Sequence, residues 1–171
     1  KQLLQLMNSD LHMESTPAKG SCFWFTIELP VLTGEDKIIA NKTVVEQPFT
    51  NPHIKVLVAE DNHVNAIVAS NLLKKWNIQC TIVKNGKEAL DELEKNQYNL
   101  ILMDLEMPVM DGFSATAVLR SKNNHTPVIA LTAALMEKQT IKKLVDFGFN
   151  DAVSKPFKPA VLYSAIGKFV S

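Results

Sequence analysis

The sequence predicts an α/β domain over residues 54–171, built as a doubly wound parallel sheet of five strands with five helices. Three observations support this fold class. Short runs of β-branched and other apolar residues alternate with longer amphipathic stretches throughout the region. The first, third, fourth and fifth short runs lead directly into residues that can bind a metal ion or a phosphoryl group. The last amphipathic stretch, residues 158–169, has one clear apolar face.

The strand candidates are short enough to be buried strands, and a helix candidate follows each of them. The predicted strands are Lys55–Ala59, Gln79–Val83, Asn99–Met103, Val128–Leu131 and Ala152–Ser154. The predicted helices cover approximately 63–76, 86–95, 112–121, 135–147 and 158–169. This alternation is typical of parallel strands joined by crossover helices.

Apolar residues at helical spacing indicate which helix faces pack on the sheet. In the last helix they are Val161, Leu162, Ala165, Ile166 and Phe169, and in the first they are Val64, Ile67, Val68, Leu72 and Trp76. We expect both sets to be core residues. Asn77 follows the first helix and can adopt the left-handed conformation that ends a helix.

The first third of the chain lacks this alternation. Residues 1–32 contain a short helical start at Leu3–Met7, a turn at Pro17–Gly20 and one alternating strand, Cys22–Leu29. So few residues cannot enclose a core of their own. Residues 33–53 are polar in the middle and carry two prolines near the far end, which is typical of a linker. We therefore divide the chain into 1–32, a linker at 33–53, and a domain at 54–171.

Composition excludes several classes of function. Eighteen basic residues balance eighteen acidic ones, which argues against a nucleic-acid or membrane-surface protein. No apolar run approaches the roughly 18 residues of a membrane span, and no signal peptide is recognisable. Cys22 and Cys80 show no metal-binding spacing, so we expect buried thiols in a reducing cytosol. A cytoplasmic location follows as an expectation, which leaves open a membrane anchor in a longer parent protein.

Polar residues at the strand ends predict a functional site. Glu60 and Asp61 follow the first strand, and Asp104, Thr132 and Lys155 follow the third, fourth and fifth. The carboxyl ends of parallel strands share one edge of the sheet, where ligands bind. Three carboxylates there would repel one another without a cation, and oxygen ligands with room for phosphate suit Mg²⁺. A hydroxyl and an ammonium beside them indicate a phosphoryl-transfer site.

Four segments carry a resemblance to a known family. Ile54–Asn65, Leu100–Gly112, Pro127–Ala133 and Ser154–Phe157 are similar, in the same order, to the motifs of response-regulator receiver domains. The resemblance covers 54–171 and implies a flavodoxin-like sheet with strand order 2-1-3-4-5.

The resemblance also implies a role for each acidic residue. Asp104 would be the phosphoacceptor and a ligand of Mg²⁺, and Asp61 would bind the ion directly. Glu60 would act on the ion through a coordinated water. The backbone carbonyl of Glu106 would be a further ligand.

The remaining site residues would hold the phosphoryl group. By the same resemblance, Thr132 and Lys155 would bind its oxygens, with Thr132 moving toward them, and the Lys155–Pro156 peptide would be cis. Ala152 departs from the family, since many receivers have there an aromatic residue whose rotamer reports phosphorylation. This departure favours a domain that passes the phosphoryl group onward.

The N-terminal segment resembles the end of a histidine-kinase ATP-binding domain, on the strength of Leu3–Met7, Ser15 and Lys19–Phe25. Together the resemblances imply a hybrid histidine kinase whose receiver takes a phosphoryl group from a histidine and passes it to a histidine-phosphotransfer protein. The partners would be the kinase core and that protein. Without ATP-binding loops or a phosphodonor histidine, this chain should not be a kinase by itself.

Two other functions are compatible with parts of the pattern. A non-phosphorylated module could dock on the kinase core, although Thr132 and Lys155 argue against a degenerate site. A haloacid-dehalogenase-like phosphatase would use Asp104 as its nucleophile, but that chemistry needs an aspartate at position 106, where this chain has Glu106.

Overall fold

The computed structural model describes residues 9–10, 12–17, 20–26, 47–51, 53–133 and 138–170. The chain divides into two compact units, Lys1–Lys42 and Thr43–Ser171.

The first unit contains an antiparallel hairpin of β1 (His12–Thr16) and β2 (Gly20–Trp24). Gly20 has a φ of +100° at the turn, a conformation that favours glycine. Every residue of these two strands is exposed, so Cys22 is not the buried thiol that the sequence predicted. The observed strand starts two residues before the predicted one, at Gly20. The predicted helix at Leu3–Met7 and residues 27–29 lie outside the described residues.

The second unit alternates strands and helices as predicted. Its strands are β3 (Lys55–Ala59), β4 (Gln79–Val83), β5 (Leu100–Asp104), β6 (Val128–Thr132) and β7 (Asp151–Ser154). Its helices are α1 (His63–Lys75), α2 (Gly86–Lys95), α3 (Gly112–Ser121), α4 (Lys138–Asp146) and α5 (Pro159–Val170). Among the described residues, the differences from prediction are one-residue shifts at strand and helix ends. Residues 135–137 of the predicted fourth helix lie outside the described residues.

The five strands form one parallel sheet in the order β4-β3-β5-β6-β7. Counted within the unit this is 2-1-3-4-5, which confirms the predicted fold class. The chain leaves β3 toward one side and continues from β5 toward the other, so the order reverses between these two strands. Ala59 of β3 lies beside Met103 of β5. A crevice therefore opens at the carboxyl ends of β3 and β5.

The core has two halves, one on each face of the sheet. α1 and α5 cover one face, where Trp76, Leu162 and Ile166 are fully buried. α2, α3 and α4 cover the other, with Leu119 and Leu144 in contact with the inner strands. Both central strands, β5 and β6, are buried along their whole length, as expected for a sheet covered on both faces.

Short polar side chains cap the N-termini of two helices, α1 and α3. Asn62 caps α1 by accepting from the N–H groups of Val64 at 2.9 Å and Asn65 at 3.2 Å. Asp111 caps α3 in the same way, since its side chain accepts from the N–H of Ser114 at 2.8 Å. Asn77 ends α1 with a φ of +62°, as predicted.

The predicted core face of α1 is partly wrong. Val64, Ile67 and Val68 are 66%, 44% and 41% exposed. The helix instead packs through Ala66, Ala69 and Leu73, which are buried. Apolar residues occupy more than one side of this helix, and the small alanines let it lie close to the sheet. The same error applies to Val161 in α5, which is 47% exposed.

Phe49, within the predicted linker, belongs to the second unit and packs against its core. Its N–H donates to the carbonyl of Trp76 at 2.9 Å, and its ring lies 4.9 Å from that of Tyr163. Tyr163 in turn contacts the indole of Trp76 edge-on. The segment just before β3 is thus attached to the face of α1 and α5.

Across the described part of the chain, no helix combines the length and apolar character that a bilayer crossing would require.

Candidate functional site

The predicted site residues lie together at the carboxyl edge of the sheet. They line a cavity of about 200 Å³ whose other walls come from the start of α1 and the loops after β5 and β6. The lining residues are Glu60, Asp61, Asn62, Asn65, Asp104, Leu105, Glu106, Thr132, Ala133 and Lys155. Each of the strands β3, β5, β6 and β7 therefore delivers at least one polar side chain to the same cavity.

Three carboxylates form the acidic part of the cavity. Glu60, Asp61 and Asp104 each place an oxygen within 4.8 Å of the others. Glu60 and Asp104 are only 2% and 3% exposed, whereas Asp61 is exposed. Oxygen atoms at this spacing can hold a hard divalent cation.

Lys155 joins two of these carboxylates. Its Nζ lies 2.7 Å from Oδ2 of Asp104 and 3.1 Å from Oε2 of Glu60. Its backbone N–H donates to the carbonyl of Thr132 at 2.8 Å, and its peptide bond to Pro156 is cis, as expected. Burial would lower the pKa of the Lys155 ammonium, but the hydrogen bonds and charges of Asp104 and Glu60 outweigh it and raise that pKa.

Glu60 accepts hydrogen bonds from its own neighbourhood as well. The backbone N–H of Asn62 donates to Oε1 of Glu60 at 3.3 Å, and the side-chain amide of Asn65 donates to the same oxygen at 3.1 Å. The pKa of Glu60 is nevertheless raised, chiefly by burial and then by repulsion from Asp104, against the opposing bond from Asn65. The ion pair thus favours the charged lysine, while burial still opposes the charge on this glutamate.

Asp104 is held in place by the backbone around it. Its Oδ1 accepts from the N–H of Glu106 at 3.2 Å, which leaves Oδ2 for Lys155. Gly112 lies directly behind it, since a Cβ at that position would overlap the backbone oxygen of Asp104. The start of α3 and the end of β5 are therefore in contact, and only glycine permits this approach.

Thr132 and Glu106 complete the predicted set. Thr132 ends β6, is 3% exposed and lines the cavity beside Ala133. Glu106 lines the same cavity from the loop after β5. The roles predicted for the Thr132 hydroxyl and the Glu106 carbonyl remain predictions.

Two residues that support the site were not assigned roles from the sequence. Asn65 was part of a recognised motif, but its bond to Glu60 depends on the start of α1 lying over the cavity. Gly112 was also part of a recognised motif, but its contact with Asp104 depends on packing between two elements.

Comparison with known proteins identifies the family. The family model described as "Response regulator receiver domain" matches residues 56–167. The chain belongs to this family. Hybrid signal transduction histidine kinase K of Dictyostelium discoideum is 35% identical over 175 residues, covering 96% of this chain and 14% of that protein. The autoinducer 2 sensor kinase/phosphatase LuxQ of Vibrio vulnificus is 31% identical over 170 residues, covering 99% of the chain and 20% of that protein.

The transcription factor SKN7 of Saccharomyces cerevisiae is 38% identical over 115 residues, covering 67% of the chain and 18% of that protein. The chain therefore spans only a small part of each of these relatives.

Solved receiver structures share the fold. The receiver domain of sensor histidine kinase PA1611 from Pseudomonas aeruginosa, with magnesium coordinated in its active-site cleft, has a TM-score of 0.62 and 36% identity, covering 68% of this chain and 96% of that chain. A chain in the co-crystal structure of the Saccharomyces cerevisiae phosphotransfer protein Ypd1 with the Ssk1 receiver domain has a TM-score of 0.64 and 30% identity, covering 68% and 88% respectively.

Proposed function

We propose that this domain is a phosphorelay receiver in which Asp104 accepts a phosphoryl group from a histidine and passes it to a histidine-phosphotransfer protein. The observation that carries the proposal is the contact of Lys155 with buried Asp104 in a cavity shared with Glu60, Asp61 and Thr132. A buried carboxylate beside an ammonium and a hydroxyl is suited to phosphoryl transfer.

The reaction needs a nucleophile and groups that stabilise the phosphoryl oxygens. An oxygen of Asp104 attacks the phosphorus, the N–P bond of the phosphohistidine breaks, and the imidazole leaves with its electron pair and takes up a proton. Lys155 then contacts a phosphoryl oxygen in addition to a carboxylate, and the Thr132 hydroxyl donates to another. Transfer to a second histidine is the reverse of this step.

The acidic cluster fits Mg²⁺. Three carboxylates and one ammonium leave two negative charges uncompensated, which matches a divalent cation. Asp61, Asp104 and the Glu106 carbonyl would hold the ion directly and Glu60 indirectly. When bound, Mg²⁺ supplies positive charge to the phosphoryl oxygens.

A partner must be a protein that covers the cavity. Asp104 is 3% exposed, so a phosphohistidine has to project into the cavity while its own protein lies on the rim. Beside that rim, α1 exposes Val64, Ile67 and Val68 on one face. An exposed apolar strip next to a polar cavity is typical of a protein-interaction surface.

The N-terminal unit fits the end of a kinase ATP-binding domain, with residues 33–53 as the linker. The alignments with hybrid and sensor kinases extend over 96% and 99% of the chain and so include the hairpin. Met13 and Phe23 of that hairpin are 62% and 60% exposed, as expected for apolar residues that would pack against the rest of an ATP-binding domain. We place the chain in the cytoplasm, consistent with the free thiols of Cys22 and Cys80.

Incubation with acetyl phosphate and MgCl₂ tests the proposal. We expect a mass increase of about 80 Da that Asp104→Asn abolishes. A solved receiver such as that of PA1611 serves as the positive control. Unchanged mass under conditions that label the control would contradict the proposal and favour a non-phosphorylated docking module. Phosphorylated Ypd1 serves as the protein donor, and label should move to Asp104.

A further inference from the structure

The loop between β5 and α3 contains a valine in a conformation that valine avoids. Val109 has a φ of +68°, in the left-handed region, where a β-branched side chain crowds its own backbone. Its side chain is also 85% exposed, the most exposed of the large apolar side chains in the described residues. The two facts together need an explanation.

The conformation belongs to a tight three-residue turn. The N–H of Met110 donates to the carbonyl of Pro108 at 2.7 Å, with Val109 between them. A turn of this kind with positive φ at its centre is the rare and strained form of the γ-turn. The strain is local to Val109.

Contacts on both sides of the turn hold it in place. The Met110 carbonyl accepts from the N–H of Gly86 at 2.9 Å, and the N–H of Gly112 donates to the carbonyl of Leu105 at 3.2 Å. Gly86 can approach because it has no Cβ, which would lie 2.9 Å from that Met110 oxygen. The surrounding structure therefore imposes the turn whatever residue stands at its apex.

Nothing within the described part of this unit compensates for valine at the apex. The exposed side chain gains little from burial, and glycine would adopt the same backbone without strain. A strained residue that the structure over-determines is a common feature of functional sites. The benefit of this side chain has to come from something outside the unit.

The position of the turn indicates what covers it. Leu105 and Glu106, at the start of this loop, line the cavity that contains Asp104. Any protein that inserts a phosphohistidine into that cavity must lie on its rim, to which this loop contributes. Val109 offers that protein an apolar contact on a rigid turn.

Resting on the function proposed above, we propose that Val109 is a docking residue that the γ-turn presents to the histidine-bearing partner. It contacts the apolar surface around the partner's histidine and takes no part in the chemistry at Asp104. Removing it should weaken docking without changing the reactivity of the carboxylate.

The test compares Val109→Gly and Val109→Asn with Asn123→Gly. Glycine and asparagine both accept positive φ, and asparagine keeps a side chain while removing its apolar character. Asn123, with a φ of +55° beyond the far end of α3, is the matched control. For each variant we would measure the urea midpoint, the rate of labelling by acetyl phosphate, and kcat/KM for transfer from phosphorylated Ypd1.

We expect both Val109 variants to unfold at a higher urea concentration than the wild type. Acetyl phosphate should label them at the same rate as it labels the wild type. Their transfer from phosphorylated Ypd1 should fall at least tenfold through KM, while Asn123→Gly stays at the wild-type value. Normal transfer to both Val109 variants would overturn the docking role.

Two other results are decisive in different ways. A wild type that acetyl phosphate fails to label refutes the proposed function itself. A wild type that acetyl phosphate labels, but that receives nothing from phosphorylated Ypd1, refutes a phosphohistidine protein of that kind as the occupant.

Discussion

The Nζ of Lys155 lies 2.7 Å from Oδ2 of Asp104, a residue 51 positions earlier in the chain. The same ammonium reaches Glu60, so one cation compensates two buried carboxylates. Both carboxylates come from strands at the switch point of the sheet, and the lysine follows an edge strand. The contact therefore exists only when the whole sheet has assembled.

Lys155→Met should destabilise the domain in metal-free buffer. It leaves Glu60 and Asp104 buried without their shared counter-charge, a loss of about 1–3 kcal/mol in the free energy of unfolding. Urea titration in EDTA measures it. The control is Lys168→Met, which breaks the exposed pair with Asp151 and should cost less than about 1 kcal/mol. Equal losses in the two variants would mean that the buried cluster contributes nothing special.

Mg²⁺ should stabilise the wild type and not Asp61→Asn. A ligand that binds only the folded state at ten times its Kd adds about 1.4 kcal/mol to the free energy of unfolding. The measurement is the thermal midpoint with and without MgCl₂. Asp91→Asn, which changes an exposed aspartate on α2, should keep the full response. A response that survives in Asp61→Asn would contradict the proposed ligand.

The cap of α3 should make stability depend on pH below neutrality. Hydrogen bonds from the N–H and hydroxyl of Ser114 hold the pKa of Asp111 below its ordinary value. A lowered folded-state pKa means that this stabilisation is present above the unfolded pKa of about 4 and is lost as pH falls through the folded value.

Asp111→Asn keeps a cap acceptor but cannot titrate. Its free energy of unfolding should therefore be lower than that of the wild type at pH 7, and the difference should shrink at pH 3. Asp111→Ala should cost about 1 kcal/mol at pH 7. Urea titrations at the two pH values measure both effects. A pH-independent gap between wild type and Asp111→Asn would show that the charge is irrelevant.

Ile67→Lys should reduce protein-to-protein transfer without affecting small-molecule labelling. Ile67 is 44% exposed on the α1 strip, so a lysine there costs the fold little and removes apolar contact area from the proposed interface. We expect about a tenfold lower kcat/KM with phosphorylated Ypd1, equivalent to about 1.4 kcal/mol. Val145→Lys, at a 64% exposed position on α4, is the control. A similar decrease in both variants would point to a general charge effect.

Much of the fold and of the site could be predicted because the relevant signals are local. The apolar runs of the strands and the end of α1 at Asn77 depend on neighbouring residues in the chain. In a parallel sheet all strands end at one edge, so polar residues after several strands predict a common site. Local patterns and this one rule of sheet geometry are enough to place Asp104 and Lys155 near each other.

Other features depend on contacts between distant segments. α1 is apolar on more than one side, and only its packing on the sheet shows that Ala69 faces inward and Val68 outward. Phe49 looks like part of a linker until Trp76 and Tyr163 provide a surface for it. No local preference predicts positive φ at Val109. Hydrogen bonds from Gly86 of α2 and Gly112 of α3 fix the loop on both sides of Val109. These bonds determine the backbone conformation of Val109 against the preference of its side chain.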